Sequence, residues 1–408
     1  MDPRHRPLFN RLFSEELYGR MCRMMDERLE TRSFEFRLAE TPLMLPPDLR
    51  IQCETVAREI LEIIRRPEII ARCARAIPER YDCPRPDPLP HFVAIDLAIV
   101  RSPGGNLEPR LIELQGFASL YGMQLVQSGI WGEVLASIPG MPDRWTSLFS
   151  GLTPESYVEL LGRTVLAGSP PEDVILLDLD PDRQKTRPDF HATARLLGVR
   201  TVDLRQLRRE GRRLLAPMKD MPDRMIPVRR ILHRVVFDEL ERSQVSACFD
   251  YRDDLDVVWV SHPNWYWIWS KYTLPLIDHP AVPRTWYLSE VERPPEDLDR
   301  FVLKPLFSFA GQGVMVDLTK ETLAAIPPGR RGDYLLQEKV EYAPALVAPD
   351  GSGVKAEVRM MFLCPEDTGT MTLAINLARL SRGKMHGVDH NKGLRWVGSS
   401  VAIWPIED

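Results

Sequence analysis

The sequence predicts a mixed protein that combines α/β and α+β architecture. Three observations carry this prediction: helical periodicity over residues 1–90, a β-α-β alternation over residues 174–204, and a series of short strands after residue 301. The chain has 408 residues, which at ~150 residues per domain suggests two or three domains. Apolar residues make up 44% and charged residues 27%, as is typical of a soluble globular protein.

The charge and cysteine patterns exclude several classes of function. The formal net charge is −5 and no basic stripe stands out, so we expect no nucleic-acid partner. No run approaches the ~20 apolar residues that a membrane span needs. The six cysteines are scattered without a C-x-x-C pair, which indicates reduced thiols and a cytoplasmic location. The sequence leaves the oligomeric state open.

The N-terminal part is predicted to be helical and the next part to form a hairpin. Residues 56–66 place apolar side chains on one face, and 69–77 suggest a second helix, before a proline-rich linker at 83–91. Strands at 92–100 and 110–114 flank the turn signal S-P-G-G-N.

The rest of the chain divides into a helix-covered layer and a strand-rich lobe. A strand at 174–180, a helix at 191–197 and a strand at 200–204 predict a parallel, helix-covered layer. A further strand is expected at 257–261 and helix at 265–276. The lobe beyond contains predicted strands at 301–304, 313–317, 334–340, 356–363 and 371–380.

A lysine followed by a small-residue loop is the first candidate site. Residues 301–313 read F-V-L-K-P-L-F-S-F-A-G-Q-G. The small residues predict a hairpin loop with free backbone N–H groups, and Lys304 can add a positive charge for phosphates. The candidate loop residues are Ser308, Ala310, Gly311, Gln312 and Gly313. The pattern is not a Walker motif, and a purely structural hairpin is an equal alternative.

The second candidate is the segment Y-L-L-Q-E-K-V-E at 334–341. It is interpreted as a buried strand that emerges at the edge of a binding site. Its polar end could contact the base and ribose of a nucleotide, through Gln337, Glu338, Lys339, Val340 and Glu341. An edge strand with solvated charges is the alternative.

Upstream, acidic and amide side chains lie on the two strands of the predicted hairpin. Glu113 and Gln115 are two positions apart, so they share one strand face, and Asp96 lies on the partner strand. Together they could supply the oxygen ligands that Mg²⁺ prefers.

The spacing of these motifs resembles the nucleotide-binding core of the ATP-grasp ligases. In that fold the metal-binding strand usually follows the lysine and linker strands, whereas here Glu113 precedes Lys304 by 191 residues. This inverted order resembles the circularly permuted branch that includes glutathionylspermidine synthetase. I-E-L-Q-G-F-A-S-L resembles its metal strand, and W-I-W-S-K-Y-T-L-P-L-I resembles its second phosphate-lysine segment.

The resemblance implies an ATP-grasp fold in permuted order, with a Rossmann-like pre-ATP-grasp layer and a helical N-terminal segment. The implied domains are a helical segment at 1–90, metal-ligand strands at 91–165, the Rossmann-like layer at 166–289 and an ATP-binding lobe at 290–408. It implies ATP and Mg²⁺ as cofactors and Lys271 as a second phosphate ligand. It assigns Arg379 and Arg359 to catalysis.

The implied activity is ATP-dependent ligation of a carboxylate to an amine. An acyl phosphate intermediate leads to an amide or peptide bond, and ADP and phosphate are released; the acid is a small molecule or a peptide. Two departures from the family pattern, Ala94 in place of an arginine and Gln115 in place of an asparagine, keep two alternatives open. These are a nucleotide-binding regulatory protein without turnover and an ATP-dependent phosphotransferase. A histidine metal pair at His386 and His390 is a further rival.

Overall fold

The computed structural model describes residues 1–31, 34–307, 313–383, 391 and 393–406, and its fold is mixed α/β. The helices are α1 Arg6–Leu12, α2 Glu15–Leu29, α3 Pro47–Ile64, α4 Pro67–Cys73, α5 Tyr121–Ala136, α6 Pro154–Val165, α7 Arg187–Leu197, α8 Phe237–Ser243, α9 Trp265–Ile268 and α10 Lys320–Ala324. The strands are β1 Leu43–Met44, β2 Phe92–Arg101, β3 Leu107–Gln115, β4 Trp145–Thr146, β5 Val174–Asp178, β6 Arg200–Asp203, β7 Arg208–Glu210, β8 Arg213–Pro217, β9 Met225–Pro227, β10 Arg230–His233, β11 Val258–Val260, β12 Thr285–Tyr287, β13 Phe301–Pro305, β14 Tyr334–Glu338, β15 Pro344–Val347, β16 Gly353–Leu363, β17 Thr372–Ser381, β18 Gly398–Ser400 and β19 Ala402–Pro405.

A central antiparallel sheet runs in the order β18-β17-β16-β2-β3, and β15 pairs with β16. Strands β2 and β3 pair as the predicted hairpin. Because side chains alternate across a strand, Ile95 and Leu97 join the main core with Ile60 of α3, while Asp96 points to the opposite face. The apolar positions of α3 recur at helical spacing, which explains why the predicted helix at 56–66 forms and packs on this sheet.

A second sheet is parallel and has the order β11-β10-β5-β6. Helix α7 connects β5 to β6, and the two strands pair in parallel. The predicted β-α-β alternation at 174–204 is therefore confirmed. Strand β5 is fully buried because helices and the central sheet cover it, which explains its continuous apolar run.

Three smaller sheets complete the fold. They have the orders β12-β14-β13, β7-β8-β9 and β1-β19-β4. The first of these encloses a small core of its own that includes Leu288, Leu303 and Leu336. Strand β13 of this sheet carries Lys304.

Two predicted elements differ from the structure. The strand expected at 313–317 is reduced to an isolated bridge between Leu303 and Met315, because Gly313 turns the chain with φ +71°. The helix expected at 265–276 is split into α9 and a 3-10 helix, Lys271–Leu276, which contains Pro275. Proline has no N–H to donate and breaks the α-helical pattern.

The N-terminal segment is tied to the C-terminal strands. Strand β1 pairs with β19, and Leu38 forms a bridge with Ser399. The central sheet joins strands from the predicted 91–165 and 290–408 regions, so the chain returns to the same sheet across those boundaries. The domain limits stay a prediction.

In the part of the chain that the structure covers, no helix has the length and apolar character to cross a bilayer.

Candidate functional site

One face of the central sheet gathers five charged side chains. Asp96 on β2 lies directly opposite Glu113 on β3 and Arg359 on β16. Glu357, two residues before Arg359, lies opposite Arg379 on β17. Cross-strand partners lie about 5 Å apart, so the pleat and the register bring these groups together. We call these five residues the charged face.

Asp96 is the most enclosed member of the charged face. Arg359 donates through Nε to Oδ1 at 2.6 Å and through Nη2 to Oδ2 at 2.7 Å. Arg379 Nη2 donates to Oδ2 at 3.0 Å. Burial opposes ionisation of this carboxyl, but the two guanidinium groups hold the pKa of Asp96 below its usual range. Asp96 is therefore a buried carboxylate with both oxygens engaged.

Arg379 is the more exposed of the two arginines of the charged face. Its side chain is 34% exposed, whereas that of Arg359 is 6% exposed. Its Nη1 lies 3.1 Å from Oε1 of Glu357, and the Tyr342 hydroxyl donates to Oε2 of Glu357 at 2.8 Å. Burial raises the pKa of Glu357. Two carboxylates thus hold one partly exposed guanidinium in place.

Two lysines from other elements approach the same strands. Lys304 on β13 donates through Nζ to the carbonyl oxygen of Ile112 at 3.2 Å. A β-bulge in β3 at this point leaves Ile112 without a β2 partner. Burial, together with the charge of Lys271, lowers the pKa of Lys304 to about 8. Lys271 Nζ lies 3.8 Å from Oε2 of Glu113.

The resulting charge arrangement fits an anion. Lys271, Lys304, Arg359 and Arg379 oppose the carboxylates of Asp96, Glu113 and Glu357. Four cations against three carboxylates leave excess positive charge in a partly desolvated place, as phosphate sites require. The chain thus provides residues that could neutralise the phosphates of ATP.

The predicted magnesium set fits less well. Asp96 already accepts from two arginines, while the Glu113 side chain is 28% exposed beside Lys271. Gln115 lies at the end of β3, opposite Ala94. Within the described residues no group of three His, Cys, Asp or Glu side chains is arranged to hold a metal ion. The set Asp96, Glu113 and Gln115 stays a prediction.

The Gly-rich loop is described only at its end. Ser308, Gly311 and Gln312 lie outside the described residues, as do His386 and His390. Gly313 is described, and a Cβ at this position would lie 2.9 Å from Cγ of Pro305. The chain therefore passes close to the end of β13, next to Lys304.

The 334–341 segment forms β14 and the turn after it. Gln337 is buried and donates to Oγ1 of Thr285 at 3.0 Å. Glu338 is in ion pairs with Arg284 at 3.3 Å and with Arg300 at 3.1 Å. The side chain of Lys339 bonds to the carbonyl oxygen of Asp299, Val340 is half-buried and Glu341 is exposed. The side chains of Gln337, Glu338 and Lys339 thus have protein partners, and any contact of this segment with a nucleotide stays a prediction.

Sequence reasoning did not select Glu357 or Tyr342 for the site. The alternation of Glu357 and Arg359 on a strand was a usable signal, since both must face the same side. Tyr342 had no such signal, because it lies in the turn between β14 and β15 and reaches Glu357 only in the folded chain.

Comparison with known proteins gives a structural likeness without a sequence relative. No family model matches the chain and no curated protein sequence matches it. Among solved structures, the fold is similar to that of a glutathione synthetase-like effector from Globodera pallida in its apo form, with a TM-score of 0.56 and 13% sequence identity. The match covers 90% of this chain and 95% of that chain. The mixed α/β fold is therefore similar to that of this effector, and the permuted ATP-grasp order stays a prediction.

Proposed function

We propose that this protein is an ATP-dependent ligase that joins a carboxylate to an amine. The observation that carries the proposal is the convergence of four cations from β13, the 3-10 helix Lys271–Leu276, β16 and β17 on one face of the central sheet. The glutathione synthetase-like fold and the ATP-grasp-like order of motifs support the same class of reaction.

The proposed reaction has two steps. A carboxylate oxygen of the acid attacks the γ-phosphorus of ATP, the bond to the β-phosphate oxygen breaks, and an acyl phosphate and ADP form. The amine nitrogen then attacks the acyl carbon, loses a proton and displaces phosphate, which leaves an amide. The acid is a small molecule or a peptide, and the reaction takes place in the cytoplasm without nucleic-acid or membrane partners.

The chain's own residues would act by position and charge. Lys304 and Lys271 would neutralise the phosphates, and Arg379 would face the transferred phosphoryl group because it is the more exposed arginine. Lys304 and Glu338 lie three residues apart along the β13–β14 pair, a distance of about 10 Å. A nucleotide lying along this pair would extend from the Glu338 end of β14 towards Lys304. No covalent nucleophile is needed.

Magnesium would accompany ATP in such a reaction. Of the carboxylates of the charged face, the partly exposed Glu113 would be the one to contact a divalent cation, with Gln115 two positions further along the same strand. We assign no step to the metal.

A nucleotide-binding regulatory protein is the second candidate. The specific observation in its favour is Ala94, a methyl group between Gln115 and Met361 where the resemblance expects an arginine. A site without that cation could bind nucleotide and turn over slowly or not at all.

Phosphate release in defined mixtures tests the proposal. The protein is incubated with ATP, Mg²⁺ and pools of amino acids, short peptides and amines, and phosphate and product mass are measured. We expect release only when an acid and an amine are both present, and we expect Arg379→Gln to lower it at least about 100-fold. The control is Arg163→Gln. Arg163 pairs with Asp367 at 2.7 Å and is not a member of the charged face, so this variant should retain full release.

Two other outcomes would contradict the ligase proposal. Nucleotide binding without release in any mixture would favour the regulatory protein. A stable phosphorylated acid, formed without any amine, would favour a phosphotransferase.

A further inference from the structure

The enclosed position of Asp96 has a consequence for its role. We propose that Asp96 is a positioning residue that fixes Arg359 and Arg379 for an anionic substrate group, and that it does not bind the metal. This inference rests on the proposed function and reassigns a residue for which the sequence predicted magnesium binding.

The first step is the pair that Asp96 forms with Arg359. The guanidinium uses two N–H groups on two carboxylate oxygens, at 2.6 and 2.7 Å. The side chain of Asp96 is 1% exposed and that of Arg359 is 6% exposed. A bidentate pair of this kind fixes orientation as well as charge. Oδ2 already accepts two N–H bonds, and Oδ1 belongs to a carboxyl group that is 1% exposed and lies beside two guanidinium charges. A metal ion that entered this space would have to displace an arginine and leave its buried charge unpaired, which is strongly unfavourable.

The second step is that the same carboxylate also holds Arg379. Oδ2 of Asp96 accepts from both Arg359 and Arg379, at 2.7 and 3.0 Å. Arg379 has its other nitrogen 3.1 Å from Glu357. The two acids therefore hold both Nη atoms of the guanidinium, while 34% of the Arg379 side chain remains exposed. Arg359 is too buried to contact the substrate directly. It acts by holding Asp96, which in turn holds Arg379.

The third step concerns the metal. With Asp96 and Glu357 both engaged by arginines, Glu113 is the carboxylate of the charged face left for a divalent cation. Glu113 lies 3.8 Å from Lys271, and the Glu113 side chain is 28% exposed. A longer and more exposed ion pair is easier to open than the buried fork at Asp96.

Metal affinity separates the two roles of Asp96. Mn²⁺ binding in the presence of ADP is measured by electron paramagnetic resonance for the natural chain, Asp96→Asn and Glu113→Gln. We expect Asp96→Asn to keep the affinity for Mn²⁺ and Glu113→Gln to lower it at least about tenfold. An equal loss in both variants would overturn the proposal.

Kinetics give an independent readout. A positioning role predicts that Asp96→Asn lowers kcat about as much as Arg379→Gln, with little change in the KM for ATP or in the dependence on Mg²⁺ concentration. It also predicts that Asp96→Asn has little further effect in an Arg379→Gln background, since the two residues act as one unit. Additive losses, or a rise in the Mg²⁺ requirement, would contradict it.

The anchoring claim can be decided without any nucleotide. Nuclear magnetic resonance of the arginine Nε–H groups should show the Arg359 signal protected from exchange in the natural chain, and addition of Mg²⁺ alone should leave it in place. Displacement of the signal by Mg²⁺ would overturn the proposal. If the natural chain releases no phosphate in any mixture, the proposed function fails while this experiment still decides the role of Asp96.

Controls guard against simple loss of folding. Asp96→Asn leaves a buried arginine unpaired, so the double variant Asp96→Asn/Arg359→Met, which removes both charges, is measured for Mn²⁺ affinity in parallel. It should bind Mn²⁺ as the natural chain does, and a loss would count against the proposal. Asp189→Asn is the matched control, because Asp189 is paired with the buried Arg234 at 3.2 Å outside the charged face; it should change neither the Mn²⁺ affinity nor the Arg359 signal.

Discussion

Lys304 is a residue of the candidate site whose charge changes with pH not far above neutrality. It is buried, it donates to a backbone carbonyl, and its pKa is lowered to about 8. Burial is the largest cause of the lowered pKa; Glu113 opposes it, and the nearby Lys271 lowers the pKa further. Below this pKa the ammonium is present and can meet a phosphate, whereas above it the neutral amine cannot.

We therefore predict that nucleotide affinity falls as the pH rises through about 8. Titration calorimetry with ADP between about pH 7 and pH 9.5 measures this. The side chain introduced by Lys304→Arg keeps its charge over this range. The ADP affinity of this variant should therefore depend less on pH, even if it is lower than that of the natural chain. A profile that is equally steep in both proteins would contradict the role of Lys304.

The free energy of unfolding of the nucleotide-free protein should rise with pH, whereas the nucleotide affinity should fall. The pKa of Lys304 is about 8 in the folded protein and 10.5 in the unfolded chain. Between these two pH values the unfolded chain binds more protons than the folded protein, so the free energy of unfolding rises with pH. Denaturant unfolding of the natural chain relative to Lys304→Met should show this gain between about pH 8 and pH 10. A constant difference between the two proteins would show that Lys304 keeps its ordinary pKa.

The buried pair of Asp96 and Arg359 predicts a large and asymmetric stability effect. Asp96→Asn should lower the free energy of unfolding by about 3–5 kcal/mol, since it leaves a buried charge without its partner. Asp96→Asn/Arg359→Met should recover much of that loss. Chemical denaturation measures both, and equal losses in the single and double variants would contradict the pair as described.

At the scale of elements, the charged face depends on strands that are distant in the chain. The sequence was sufficient to predict the β2–β3 hairpin, because alternation and the S-P-G-G-N turn are local signals. It was also sufficient to place Glu113 and Gln115 on one strand. The pairing of β2 with β16 is set by packing across 263 residues, and no local pattern indicates it. The resemblance assigns Arg359 to catalysis, but the sequence contains no signal for its bond to Asp96.

Strand β18 supports a prediction at the same scale. Gly398 has φ +122°, and a Cβ there would collide with the carbonyl oxygen of Arg37, in the segment that pairs with β18. Gly398→Ala should therefore lower stability by at least about 2 kcal/mol. Thermal unfolding measures this, with Gly329→Ala as a control because a Cβ at Gly329 meets open space. Equal melting temperatures would show that the N-terminal segment is not held against β18.

At the scale of the whole molecule, the candidate site belongs to no single stretch of sequence. Lys304 comes from the small sheet of β12, β13 and β14, Lys271 from a 3-10 helix, and the carboxylates and arginines from the central sheet. The N-terminal helices cover the other face of that sheet. An intact fold is thus required to assemble the charges, because the residues that carry them are dispersed along the chain.

The most direct test of the central claim is the equilibrium affinity for ADP with Mg²⁺, measured by titration calorimetry. The natural chain should bind, Lys304→Met should lose at least about tenfold in affinity, and Lys320→Met, which removes an exposed lysine of α10, should bind as the natural chain does. If the natural chain binds no nucleotide, or if both lysine variants bind equally well, the charged face is not a nucleotide-phosphate site.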